Sequence, residues 1–475
     1  MHRLLRLWFG LRLPVDRRTY LFHGAGLMAF KFCTDALALR LVTGASWTPL
    51  DYLDPLNTPV SFRTRAPAAP PWFWLALAAW ALPFLWIGVS MTLRRVLDAR
   101  RSPWLSLLFF VPVMNWMLMV FLCLAKARPG QIVPADFVQD TRRVRAAIQG
   151  VAAGVGIGAV SLALYLLWFK AYNAAVFLGT PFTMGAAAGY LYNRSGPKPR
   201  TVALGALTVI IAALATLLFA LEGALCVGMA LPIALPLGML GAKVGELIAQ
   251  ERRESTPATA LLLLVLPFSN AIDARLLKPP LREVLTSIEI DAPPQLVWPQ
   301  VVGFADIEEP PQWFFRLGIA YPVRARLEGH GVGAVRRCEF STGAFVEPIT
   351  AWEEPSRLAF EVRSQPPPLH EWSPYQRVHA QHLLETLRSR SGEFRLVALA
   401  SGRTRLEGRT FYQLSMEPQT YWAFFSDLLI HQIHQRVLTH IAAEVSSAPG
   451  CAALPGRPGC RGLRFPAFPS SSPAR

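Results

Sequence analysis

The stretch RTRLEGRTFYQL at residues 403–414, followed by EPQTYWAFFSDLLIHQIHQRVLTHIAAEVS at 417–446, decides the fold of the C-terminal part of the chain. In the first segment Leu406, Gly408, Thr410, Tyr412 and Leu414 share one face and Arg405, Glu407 and Arg409 the other, the two-residue alternation of a half-buried strand. In the second, Tyr421, Phe425, Leu428, Leu429, Ile433, Val437 and Ile441 recur at three- and four-residue intervals, which predicts one long amphipathic helix. Working outward, alternation predicts strands at 284–290, 322–328, 332–340, 343–353, 357–363 and 392–400, with turn sequences such as EGHG, STG, EEPS and SGR between them. Short helices are predicted at 294–302, which opens on Pro residues, and at 309–317. A strand, two short helices, six strands and a long helix make an α+β domain in which a curved antiparallel sheet grips the last helix. Such a sheet leaves space beneath the helix, and that space is the candidate site.

Upstream of about residue 280 the pattern is different. The whole chain has 475 residues, 52% hydrophobic and only 16% charged, against about 25% charged in an ordinary soluble domain. Apolar runs long enough to span a bilayer lie at 72–93, 104–125, 150–169, 174–193, 201–221 and 223–249, with weaker candidates at 20–43 and 258–272. These predict a multi-pass α-helical membrane region of six to eight spans. The run 104–125 has basic clusters at both ends, so it either breaks near Pro112 and Asn115 or carries one cluster across the membrane. The opening LLRLWFGLRLP reads as an amphipathic arm at the bilayer surface. Glycines at 150–160 and 179–189 lie within apolar stretches, where they let helices approach closely rather than cradle a phosphate.

The net charge of +16 is unevenly spread. Residues 285–445 hold 15 Arg, no Lys and 18 acidic residues, so the excess lies in short clusters between apolar runs, such as Arg94, Arg95, Arg100 and Arg101. That is the pattern of basic residues flanking membrane spans on the cytoplasmic side. It is not a nucleic-acid footprint, which would gather basic residues on one folded face. The six cysteines show no paired spacing, so no disulfide framework and no structural zinc is implied, and Cys338 reads as a small buried apolar residue.

Residues 1–130 loosely resemble a family of bacterial inner-membrane proteins of unknown function, through RRTYLFH and then RRVLDARRSPWLSLLFFVPVMNWMLMVFLCLAKARPG. Residues 285–446 resemble the START-like helix-grip superfamily, in particular its polyketide cyclase/dehydrase and lipid transport branch. That likeness rests on TSIEIDAPPQLVWPQVVGFA, on GHGVGAVRRCEFSTGAFVEPITAWEEPSRLAFEV, and on RTRLEGRTFYQL with its long helix. The resemblance implies an apolar molecule held between sheet and helix. Residues 364–388, rich in Pro and His, depart from the family pattern and read as a lid over the cavity mouth.

The domains expected are thus an N-terminal membrane domain at 1–130, a second helical membrane region at 131–280, the helix-grip domain at 283–446 and a disordered tail at 447–475. Candidate wall residues are Phe340, Trp352, Phe360, Tyr412, Phe425 and His440. The apolar stripe of the long helix centres near Ile433, so His431 points away from the core and His434 lies at its edge, which favours a solvated face for both, and Glu347 alternates out of phase with Val346, Pro348 and Trp352, which predicts an outward side chain. No metal site, cofactor or catalytic constellation is implied. The expected function is a membrane-anchored binding protein for a lipid, polyketide or isoprenoid-like ligand, in a bacterial inner membrane with its soluble domain cytoplasmic. Its partners are the lipid bilayer and an apolar small molecule, and nucleic acid is not among them. Two alternatives stand beside it: a cyclase/dehydratase-type enzyme acting on an apolar substrate, and a transporter or sensor gated by the soluble domain.

Overall fold

The structure, a computed structural model, describes residues 2–10, 15–44, 46–48, 71–110, 114–126, 135–164, 174–218, 222–251, 279–370, 386–400 and 402–447. The expected tail, the segment 258–272 and most of the expected lid lie outside the described residues. The chain divides into two compact units, one built from the helices up to Glu251 and the other beginning with the first strand.

The helical unit contains α1 (His2–Phe9), α2 (Arg17–Thr43), α3 (Pro71–Asp98), α4 (Met114–Leu124), α5 (Ala135–Leu164), α6 (Thr180–Asn193), α7 (Thr201–Leu218) and α8 (Ala224–Glu251). Asp16 caps α2 by accepting from the Thr19 backbone N–H at 3.0 Å, and Gly44 closes it in the left-handed region at φ 71°. The stretch 104–125 is not one helix: a 3-10 segment, Pro103–Phe110, precedes α4. The glycines of α6 and α8 pack helix on helix. A Cβ on Gly185 would lie 2.0 Å from the Gly238 carbonyl oxygen, so only glycine permits this approach. Among the described residues two helical stretches are long and apolar enough to cross a bilayer, Thr141–Leu162 and Ala224–Glu251, fewer than the six to eight spans expected. Met114–Leu124 and Thr201–Leu217 are apolar but shorter.

The second unit is a seven-stranded antiparallel sheet of β1 (Leu281–Ile290), β2 (Pro322–Glu328), β3 (Val335–Phe340), β4 (Gly343–Glu353), β5 (Arg357–Glu361), β6 (Leu387–Leu399) and β7 (Arg403–Leu414), in the order β1-β7-β6-β5-β4-β3-β2. Helix α9 (Pro294–Val302) follows β1, and α10 (Gln419–Ser447) ends the domain. The strands interrupt their register between Ile349 and Ala351 on β4 and between Ser389 and Ser391 on β6. Such irregularities bend a sheet and sharpen its twist, which lets this one curl around α10.

The core forms where the C-terminal half of α10 meets the sheet. Val437, Leu438, Ile441, Ala442 and Val445 pack there with Trp298 and Val301 of α9 and with Ile349, Leu358 and Leu406. The buried face of α10 differs from the expected stripe at its N-terminal end, where Leu428 is exposed. The expected helix at 309–317 is reduced to a 3-10 turn, Phe315–Leu317. Pro310 and Pro311 lack the N–H groups that a helix through this stretch would use.

Candidate functional site

Between the sheet and α10 lies a partly open cavity of about 110 Å³. Its lining follows from strand alternation. Arg336, Cys338 and Phe340 are every second residue of β3, and Phe345 and Glu347 are their counterparts on β4. Phe360 on β5, Phe394 on β6 and Thr410 on β7 extend the wall across the sheet. Ser389 and Ser391 border the cavity where β6 changes register. Helix α10 closes the space with Ile430, Ile433, His434 and Val437.

The polar centre of this apolar cavity is an ion pair. Arg336 and Glu347 face each other across β3 and β4, and the Arg336 guanidinium donates through one terminal nitrogen to a Glu347 carboxylate oxygen. They are 2% and 5% exposed, so the pair is shielded from water. Burial pushes the Glu347 carboxyl above the usual carboxylate range, and the guanidinium opposes that shift. The guanidinium carbon also lies 5.4 Å from the ring centroids of Phe360 and Phe394 and 5.8 Å from that of Phe304, within cation–π range. The Arg336 Nε–H has no hydrogen-bond partner among the described residues.

His434 stands across the cavity, tied to the sheet at both ring nitrogens. Its Nε2 is 2.7 Å from the Thr410 hydroxyl, and its Nδ1 is 3.1 Å from the Thr286 hydroxyl, which also meets His431 Nδ1 at 2.8 Å. Burial, with a smaller contribution from His431, lowers the His434 pKa to about 4, so its imidazole is neutral at ordinary pH. Burial likewise pushes the Cys338 thiol up to about 12, which leaves it an unreactive thiol near pH 7.

Of the six wall residues expected from the sequence, Phe340 and Phe360 line this cavity. The other four sit elsewhere. Trp352 meets Trp298 edge-on at 5.5 Å and His330 at 4.6 Å. Tyr412 is fully buried; its hydroxyl donates to Asp427 at 2.5 Å and accepts from Arg282 Nε at 3.2 Å. Phe425 belongs to an aromatic cluster with Tyr421 and Phe424 at the start of α10. His440 packs against Phe304 at 5.7 Å, deeper in the core.

Three expectations of outward-facing side chains are corrected. Glu347 points inward on the same face as Phe345 and Ile349, so Val346 and Pro348 are the wrong phase references, and the irregularity after Ile349 inserts an extra residue that puts Trp352 out of step with them. His431 and His434 bond to threonines of the sheet instead of facing water. The sequence did hold a signal for Arg336, since it alternates in phase with Cys338 and Phe340. The segment expected as a lid is tied down at its ends. The Gln365 side chain donates to the Leu387 carbonyl at 2.7 Å and accepts from the Ser389 N–H at 2.9 Å. His379 and His382 lie outside the described residues.

Residues 14–132 match a family described as protein of unknown function (DUF805). No curated protein matches. Among solved structures, the chain is similar to the Zhui aromatase/cyclase from Streptomyces sp. R1128, with 16% identity, 35% of this chain and 94% of that one covered, and a TM-score of 0.25. Norcoclaurine synthase from Thalictrum flavum, in complex with dopamine and hydroxybenzaldehyde, matches at 10% identity over 37% of this chain and 90% of that one, TM-score 0.25. A protein from Nitrosospira multiformis matches at 20% identity over 35% and 97%, TM-score 0.23. Scores of this size lend nothing to function, and the helix-grip arrangement rests on the strand order and the long helix described above.

Proposed function

We propose that the C-terminal unit binds an apolar ligand in the cavity under α10, and that the helical unit anchors it in a membrane as a multi-pass domain. The observation that carries this reading is the cavity itself: about 110 Å³ walled by Phe340, Phe345, Phe360 and Phe394, at the interface where a helix-grip sheet meets its helix. Its volume is below the roughly 150 Å³ of an engineered cavity that takes benzene, so it holds no more than a single ring or the end of a chain. A lipid or isoprenoid-like ligand would seat one end here and leave through the open side. Joining such a pocket to a membrane-embedded unit shortens the aqueous path the ligand must cross. The basic clusters between the apolar runs favour a cytoplasmic position for the binding unit. The test is purification of the full-length protein in mild detergent with mass spectrometry of co-extracted molecules. A reproducible apolar ligand is expected, and its absence together with failure to bind any apolar probe would overturn the reading.

A second reading, a cyclase/dehydratase-type enzyme, is favoured by one observation: Glu347 and His434, a carboxyl and an imidazole of the kind that move protons, both line the cavity. It requires that an added apolar substrate be converted, either to a cyclic isomer of unchanged mass and altered chromatographic retention or to a product lighter by one water, and that Glu347→Gln abolish the conversion.

A further inference from the structure

We propose that His431, Thr286, His434 and Thr410 form one proton-sharing line from solvent to the cavity, in which the two histidines hold opposite tautomers and a proton on His431 makes Thr410 a hydrogen-bond donor toward a ligand oxygen. This deepens the cyclase/dehydratase reading, on which its use in chemistry rests. It names the substrate class: an apolar molecule whose carbonyl or leaving hydroxyl oxygen must take up a proton.

The first ground is a count of protons. The Thr286 hydroxyl is buried between two imidazole nitrogens, 2.8 Å from His431 Nδ1 and 3.1 Å from His434 Nδ1. It has one proton to donate, and among the described residues no third partner takes it. Buried polar groups are hydrogen-bonded, so one imidazole accepts from Thr286 and the other donates to it. If His431 donates, Thr286 donates to His434 Nδ1, and the His434 proton sits on Nε2, 2.7 Å from the Thr410 hydroxyl. The Thr410 proton is then free for the cavity. In the opposite order Thr410 donates to His434 and offers the cavity lone pairs alone.

The second ground is where the line ends. His431 is half-buried and is not part of the cavity wall, and its Nε2 is open to solvent. Thr410 lines the cavity from the helix-facing side of β7, in phase with Leu406 and Tyr412. A proton on His431 makes its Nδ1 a donor and so fixes the first order. Passing that proton inward breaks the His431 Nδ1–H bond and forms an O–H bond on the ligand, while each group between gives one proton and takes one. His434 begins and ends neutral, as suits an imidazole whose pKa burial lowers to about 4. Taking a proton back from the product restores the first order.

The charged groups around the line are paired: Asp427 on α10 with Arg282 on β1, Glu347 with Arg336 across the cavity, and Arg409 on β7 with Glu283, Glu407 and Glu393. Burial keeps Tyr412 and Cys338 protonated. The line therefore answers to His431, whose pKa burial lowers from 6.5.

The test is magic-angle-spinning nitrogen NMR of the full-length protein in lipid with isotope-labelled histidine, assigned through His431→Gln and His434→Gln. One histidine should carry its proton on Nδ1 and the other on Nε2, and lowering the pH through the His431 titration should leave His434 protonated on Nε2. Thr286→Val should uncouple His434 from that titration, and Thr286→Ser should restore the coupling. The same tautomer in both histidines, or a His434 response that survives Thr286→Val, would overturn the line. On an apolar substrate that the native protein converts, Thr286→Val should slow conversion about tenfold or more, with Thr286→Ser close to native. A Thr286→Val rate equal to the native one would overturn the role in chemistry. Opposite tautomers with no conversion of any added substrate would overturn the enzyme reading and leave the line standing. If Thr286→Val does not fold by near-ultraviolet circular dichroism, the tautomers of the native protein still decide.

Discussion

Arg336 and Glu347 stand directly opposite each other across β3 and β4, and their ion pair is enclosed by the rings of Phe304, Phe360 and Phe394. Removing one partner leaves the other charge buried without its counter-ion. Arg336→Met should destabilise the protein by about 3–5 kcal/mol, whereas R336M/E347L, which removes both charges, should lie within about 1 kcal/mol of the native protein or above it. Denaturant unfolding of the full chain, followed by near-ultraviolet circular dichroism, measures both. A single variant as stable as the native protein would mean that Glu347 is not held as a buried carboxylate.

Much of this domain was legible in the sequence because its strands are half-buried. Residues 322–328, 343–353 and 403–414 form strands with the expected bounds, and the Pro-opened helix spans 294–302 as expected. Binary alternation and Pro placement are local signals, and they survive folding. What was not legible depends on departures from periodicity or on distant partners. The irregularity at Ile349 reverses which face later residues of β4 occupy, so Trp352 falls into false phase with Val346 and Pro348, and parity counted from the three together put Glu347 outside. The neighbours of His434 are Thr286 and Thr410, the first 148 residues away in sequence, and no helical wheel contains them.

His434 makes stability depend on pH. Its pKa is about 4 in the folded protein against 6.5 ordinarily, so between those values the folded chain binds fewer protons than the unfolded one. Stability therefore falls as pH is lowered through that window, by up to roughly 3 kcal/mol at its lower end. Glu347 acts in the opposite direction, since a raised carboxylate pKa favours the folded state as pH falls. It is present in both proteins when the native chain is compared with His434→Gln, so its effect cancels in the difference. The variant should show a shallower loss of stability from pH 6.5 to 4, measured as unfolding midpoints across that range. Parallel profiles would show that His434 is not shielded.

In the helical unit, Gly185 and Gly189 of α6 meet α8 so closely that added Cβ atoms would lie 2.0 Å from the Gly238 carbonyl oxygen and 2.1 Å from that of Ala242. Gly185→Ala should force the helices apart and cost about 1–3 kcal/mol. Gly156→Ala on α5 is the control, because nothing lies within 4 Å of the position its Cβ would take. That change should be neutral or stabilising by up to about 1 kcal/mol, since Ala is the better helix former. Thermal unfolding midpoints of the two variants in the same detergent separate these outcomes.

Arg94 and Arg95 are adjacent in sequence, fully buried on α3, and aimed at the ends of two different helices. Arg94 donates to the Leu7 carbonyl near the end of α1, where Ser90 donates to the Trp8 and Gly10 carbonyls at 3.0 and 2.8 Å and Trp86 to that of Phe9 at 3.1 Å. Arg95 donates to the Leu122 and Ala125 carbonyls at the end of α4. The last carbonyls of a helix have no partner within it and carry its negative dipole end, so a cation there supplies both hydrogen bonds and charge. Arg94→Met should free α1, raising hydrogen exchange at residues 2–10 by about tenfold or more while leaving α4 unchanged, and Arg95→Met should do the reverse. Hydrogen exchange read by mass spectrometry resolves the two segments. If both variants loosen both helices equally, the two arginines act as one packing unit and not as separate caps.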